Sequence, residues 1–116
     1  QGEFEADNAV SESAFAALVD AEIAGYRAEF GEVPVIVGGM RPSWVADDSD
    51  RQGVQDALID TPNRNYLCGY ADPASIDDGV GTDAHYSNTE LRGAFAGGTL
   101  TPGGFAEKWW DAWQTL

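Results

Sequence analysis

The chain has 116 residues, 43% hydrophobic and 11% aromatic, which is enough apolar material for one packed domain and argues against a disordered tail. Its 20 Asp and Glu stand against 6 Lys and Arg, a formal net charge of -14. A field of that sign repels polyanions, so neither nucleic acid nor an anionic membrane is an expected partner. The acidity suits an extracellular or periplasmic setting, though a well-solvated surface is the simpler reading of it.

The first seven residues, "QGEFEAD", lack an initiator Met and set a Gln-Gly-Glu triplet before an acidic turn and a helix. They are expected to continue from a strand that ends just before Gln1. Over residues 11–30, Phe15, Leu18, Val19, Ile23, Tyr26 and Phe30 recur at helical spacing, predicting one amphipathic helix stopped by Gly31. The run "VPVIVGGM", residues 33–40, is apolar, β-branched and closed by two glycines; it predicts a strand buried on both faces, as in a parallel sheet.

"RPSWVADDSD" reads as loop, and residues 51–59 as a short helix with Val54, Ala57 and Leu58 inward, ended by Pro62. "NYLCGYA", residues 65–71, predicts a second strand interrupted by Gly69. Two glycines, a proline and four aspartates make residues 72–85 a long surface loop. Ser87 and Glu90 have the offset of a capping box, so a helix is expected there with Leu91 and Phe95 toward the core. Gly and Pro break the chain over residues 97–104. A last helix then carries Phe105, Trp109, Trp113 and Leu116 along one stripe. Helices alternating with strands imply βαβ crossovers, and two strands alone make a poor parallel sheet. The chain is therefore expected to be the C-terminal part of a larger α/β domain.

Cys68 is the only cysteine, which excludes an intrachain disulfide and a cysteine-based zinc site; in its apolar run it reads as a small buried residue. No stretch approaches the roughly 20 apolar residues that cross a bilayer. His85 is the only histidine, so any triad using a histidine of this chain uses this one. It follows a loop leaving a strand's C-terminal end, the edge where open parallel sheets bind ligands, although it can equally be a polar residue beside a helix cap. The serines, at 11, 13, 43, 49, 75 and 87, include none in a Gly-x-Ser-x-Gly elbow, and Ser87 is better used as a cap. If His85 is a general base, its nucleophile lies elsewhere.

A calcium loop at "DDSDRQG" fails, because Gln52 is a poor third ligand and Ile59 stands where a bidentate Glu belongs. Trp109, Trp110 and Trp113 fit a carbohydrate-stacking platform, but at helical spacing two of the three are more simply core.

"QGEFEAD" resembles the Trp-x-Gln-Gly-Glu-x-Asp block, and "TDAHYSNTELRG" the late His block, of the SGNH-type carbohydrate esterases, the group of acetylxylan esterases and sialate O-acetylesterases. "VPVIVGGM" is similar to the strand after the first block's helix, so the likeness spans nearly the whole chain. The resemblance implies a flavodoxin-like three-layer α/β/α sandwich, of which residues 1–116 are the C-terminal part. It implies a carbohydrate O-acetylesterase with a Ser-His-Glu/Asp mechanism and an O-acetylated carbohydrate as substrate. The nucleophilic Ser would come from an N-terminal segment of the same domain, so the chain by itself would be inactive.

By the same resemblance Gln1, with Gly2, matches the oxyanion-hole and substrate-binding positions, His85 the base, and Glu3 the acid that orients it. The family's usual Asp three residues before the His is Thr82 here, with Asp83 two before; Glu3 is thus the expected acid and Asp83 the second choice. No metal or organic cofactor is implied. The competing readings are a non-catalytic carbohydrate-binding or structural module of the same fold, and a plain α/β interaction domain whose acidic face binds a basic partner.

Overall fold

The computed structural model describes residues 2–77, 79, 83–86, 90–91, 94–96, 99–101 and 103–116. After a short helix α1 (Glu3–Asp7), helix α2 (Glu12–Phe30) begins where Ser11 accepts the Ala14 backbone N–H at 3.3 Å and ends at Gly31. The expected periodicity is present, but only part of its stripe is covered. Phe15 and Ile23 are buried, whereas Leu18, Tyr26 and Phe30 are 57%, 48% and 68% exposed.

Strand β1 (Val35–Gly38) runs parallel to strand β2 (Cys68–Ala71), with Val35 opposite Cys68 and Gly38 opposite Ala71. Both are shorter than the apolar runs that predict them. β1 is only half-buried rather than enclosed on both faces, because it has a partner along one edge alone among the described residues. Cys68 is buried as expected, and burial pushes its thiol pKa up.

The stretch read as loop after β1 forms helix α3 (Pro42–Ala46) and a 3-10 turn, Ser49–Arg51. Pro42 sits in the helix's first turn, where a missing N–H costs nothing, and Trp44 and Val45 are driven inward. Arg51 lies 4.0 Å over the Trp44 ring and donates to the Trp44 carbonyl at 2.8 Å. Helix α4 (Gln52–Ile59) buries Val54, Ala57 and Leu58 as predicted. Pro62 does not end it: Pro62 belongs to the first turn of helix α5 (Thr61–Arg64).

Two further expectations change near the C-terminus. Phe95, assigned to a helix, lies in strand β3 (Ala94–Ala96), which pairs antiparallel with strand β4 (Thr99–Thr101). Gly97-Gly98 between them is a dipeptide that suits a hairpin, and the sequence reading took it for a simple break. Glu90 and Leu91 are helical, Leu91 is 39% exposed rather than core, and the Ser87 cap lies outside the described residues. In helix α6 (Phe105–Gln114) Phe105 and Ala112 are buried, but Trp109, Trp110 and Trp113 are 40%, 61% and 47% exposed and Leu116 39%. None of those tryptophans is fully core.

The sheet carries helices on both faces. On one, Phe15 of α2, Val54, Ala57 and Leu58 of α4, and Trp44 and Val45 of α3 cluster with Val37 and Tyr70. On the other, Phe105 and Ala112 of α6 gather with Ala71, Ile36 and Tyr86. The side-chain alternation of a strand puts Val37 and Ile36 into different cores. The face under α6 is floored by glycines: a Cβ on Gly38 would stand 2.9 Å from Phe105, and one on Gly69 3.0 Å from the Ala112 carbonyl oxygen. Gly69, which weakened the strand prediction, is what lets α6 seat. Gly69→Ala is expected to cost roughly 1–3 kcal/mol, because the obstacle is backbone. Urea titration tests this, and an unchanged midpoint would contradict it.

Taken together, the described residues form a mixed α/β domain around two parallel strands.

Candidate active site

The loop that carries Asp83 and His85 sits at the C-terminal end of β1. Gly39, Met40 and Arg41 leave the strand there, and the loop bearing His85 is fastened to them on both sides. Tyr86 donates its hydroxyl to the Gly39 carbonyl at 3.1 Å, and Arg41 Nη1 donates to the Asp83 carbonyl at 3.3 Å. Tyr86 also packs its ring 4.9 Å from that of Phe105.

Within that fastening, the Nδ1 of His85 lies 2.8 Å from Asp83 Oδ1, which also accepts the His85 backbone N–H at 2.9 Å. These two bonds, the backbone one first, hold the Asp83 carboxyl below its usual pKa. When the ring is neutral, a carboxylate on Nδ1 keeps the proton there and leaves Nε2 basic. The pair stands open to solvent, His85 85% and Asp83 71% exposed.

Glu3, the sequence's first choice for the orienting acid, lies at the same end. Its neighbour Gly2 is fitted between Phe15, Val54 and Met40 with φ 102, so a side chain there would be strained and would meet Phe15 at 3.2 Å. That gives Gly2 a structural reason to be glycine, apart from any role toward a substrate. The Glu3 carboxyl is half-buried; burial raises its pKa, and the chain's amino terminus first, then its own backbone N–H and last His85 lower it by more. His85 is thus within electrostatic reach of two carboxylates, and Asp83 supplies the hydrogen bond to its ring. Gln1 and Thr82 lie outside the described residues.

Beneath the pair is a buried ion cluster that the sequence reading missed. Arg41, 4% exposed, meets Asp77 Oδ1 at 3.2 Å and Glu90 Oε1 at 3.1 Å, both carboxylates being almost fully buried. Asp77 in turn accepts the Ser43 hydroxyl at 2.9 Å and the backbone N–H groups of Ser43 and Gly79. Burial raises the Asp77 pKa; those hydrogen bonds and the Arg41 charge outweigh it and hold the group below the ordinary range. Ser43 is therefore engaged with Asp77, while the His85 ring is hydrogen-bonded to the Asp83 carboxylate. The sequence signal was an Arg two residues after a strand-ending Gly-Gly in a chain poor in cations.

Behind this, Gln55 accepts the Met40 N–H at 2.9 Å and donates to the Tyr70 hydroxyl at 2.8 Å. Burial, with Asp72 adding to it and Gln55 opposing, pushes Tyr70 up to about 12; burial first also raises Tyr86. Neither phenol is a base near neutrality. Among the described residues no group of three or more His, Cys, Asp or Glu side chains is placed to hold a metal ion, and no helix is long and apolar enough to cross a membrane. Chemically, the arrangement offers a carboxylate-held imidazole at a sheet's C-terminal edge. No family model, curated protein or solved structure matches the chain.

Proposed function

We propose that the chain is the C-terminal part of a serine-type carbohydrate O-acetylesterase with an SGNH-like three-layer α/β/α sandwich. The observation that carries this reading is the His85 imidazole held through Nδ1 by Asp83, with Glu3 in electrostatic reach, at the end of β1. A Ser from polypeptide outside the chain attacks the acetyl carbonyl carbon, and its proton passes to Nε2 of His85. Asp83 stabilises the imidazolium. Collapse of the tetrahedral species breaks the ester bond, and the sugar oxygen leaves with the proton from Nε2. Water then repeats the sequence on the acyl-Ser and releases acetate. The Gln1 side-chain amide is the candidate donor to the oxyanion; losing one such donor costs ~2.7–4 kcal/mol of transition-state stabilisation.

The test is hydrolysis of an aryl acetate by a longer polypeptide that supplies the missing strand and Ser. Turnover is expected there and not from the 116-residue chain alone; steady turnover by the chain alone would contradict the proposal. Asp83→Asn is expected to lower kcat by ~10²–10⁴-fold, and Glu3→Gln by less. The opposite ranking gives the orienting role back to Glu3. A second reading, a carbohydrate-binding module without catalysis, is favoured by the exposed Trp110 and Trp113 on α6; binding of a polysaccharide with no hydrolysis by the longer polypeptide would select it.

A further inference from the structure

A concavity runs along the outer edge of β1. Val35 and Gly39 donate their N–H groups to Leu67 and Ala71 on the β2 side, at 3.0 and 3.1 Å. In a parallel ladder alternate residues face opposite neighbours, so Ile36 and Gly38 turn their N–H and C=O groups the other way. Among the described residues no strand pairs with that edge. A groove of about 440 Å³ lies along it. Leu18 and Tyr26 of α2 form one wall, Phe105 and Trp109 of α6 the other, and Leu18, Tyr26 and Trp109 are all substantially exposed.

Those features name the occupant. A small apolar ligand would fit the walls but leave the peptide groups of Ile36 and Gly38 buried without partners, which is costly. An extended strand satisfies the walls and the edge together. Its direction follows from handedness: parallel strands joined through helices are wound right-handed, and α2, which feeds β1, shares a sheet face with α4, which joins β1 to β2. The strand that feeds α2 therefore belongs on the side of β1 away from β2, parallel to it. Gly2 lies against Met40 at the C-terminal end of β1, where such a strand would deliver the chain.

We propose that this groove is a docking site for one extended polypeptide strand, apolar on both faces and parallel to β1, from the segment that leads into α1. It pairs with Ile36 and Gly38, and Glu5 and Glu22 on the groove's rim favour basic residues at its ends. The site stands without the esterase reading, since no catalytic residue enters the argument.

The probe is a short peptide of valines flanked by lysines, added to the full chain. Amide exchange followed by NMR is expected to slow at Ile36 and Gly38 and to stay unchanged at Val35 and Val37. A spin label at the peptide's N-terminus should broaden Val35 more than Gly39. A version N-methylated at alternate amides keeps the apolar surface and loses strand hydrogen bonds; it is expected to bind about tenfold more weakly or worse. Ile36→Pro removes only an outward N–H, as edge strands tolerate, and should have the same effect. Equal affinity of the N-methylated peptide would make the groove an apolar ligand site and overturn the proposal. So would unchanged exchange, the reverse label pattern, or Ile36 and Gly38 already protected in a self-associated protein.

Discussion

Replacing His85 by Ala is expected to lower kcat/KM for an acetyl ester by ~10⁴-fold or more in the longer, active polypeptide while leaving the fold in place. The fold should survive because the ring is 85% exposed and the loop around it is held by Tyr86 and Arg41 rather than by His85. The activity should not, because in the proposed mechanism the imidazole is the group that takes the Ser proton and returns it to the sugar oxygen. Binding and oxyanion stabilisation would leave a residual rate above that in water. Circular dichroism and a denaturant titration separate the two effects: lost turnover with an unchanged midpoint is the expected pair, and retained turnover would remove His85 from the chemistry.

The second large effect is on stability. Arg41→Met would leave Asp77 and Glu90 buried without the cation between them, which typically costs ~3–5 kcal/mol. It would also free the Asp83 carbonyl and, with it, the His85 loop. Asp77 gives this a pH signature. Its folded pKa lies below the unfolded value, so its contribution is fully present above about pH 4 and is lost as pH falls through the folded pKa. Wild type should therefore lose stability in acid more steeply than Asp77→Asn, which has no such proton to take up. Equal acid slopes, or an Arg41→Met protein as stable as wild type at pH 7, would contradict the cluster's role.

What the sequence disclosed follows from the range of the interactions involved. α2, α4 and the parallel pair β1–β2 were legible because helical spacing, a Ser cap, a stopping Gly and β-branched runs are local properties. α3 was missed because "RPSWVADD" looks polar; burial of Trp44 under Arg51 decides its state, and that contact is tertiary. The β3–β4 hairpin was missed because each strand has three residues, too few to show alternation. The helical stripe of α6 was legible, but its covering was not: Trp109 borders a groove, which only the width of the sheet reveals.

At the site, the Asp83–His85 hydrogen bond joins residues two apart in one loop, and Glu3 lies within electrostatic reach of the same ring. The Asp83–His85 hydrogen bond depends on a two-residue loop geometry that spacing does not encode. The Arg41 cluster joins residues far apart in the chain, and no local pattern announces it.

The central claim is that this imidazole serves a nucleophile delivered from outside the 116 residues. Acid-quenching the active polypeptide during acetyl ester turnover and mapping the acetyl group by mass spectrometry tests it directly. The account predicts an acetyl ester on a Ser that precedes Gln1, absent when His85 is Ala. Turnover with the acetyl group mapped to a residue of this chain, or with no acyl-enzyme and full activity in the Ala variant, would contradict it.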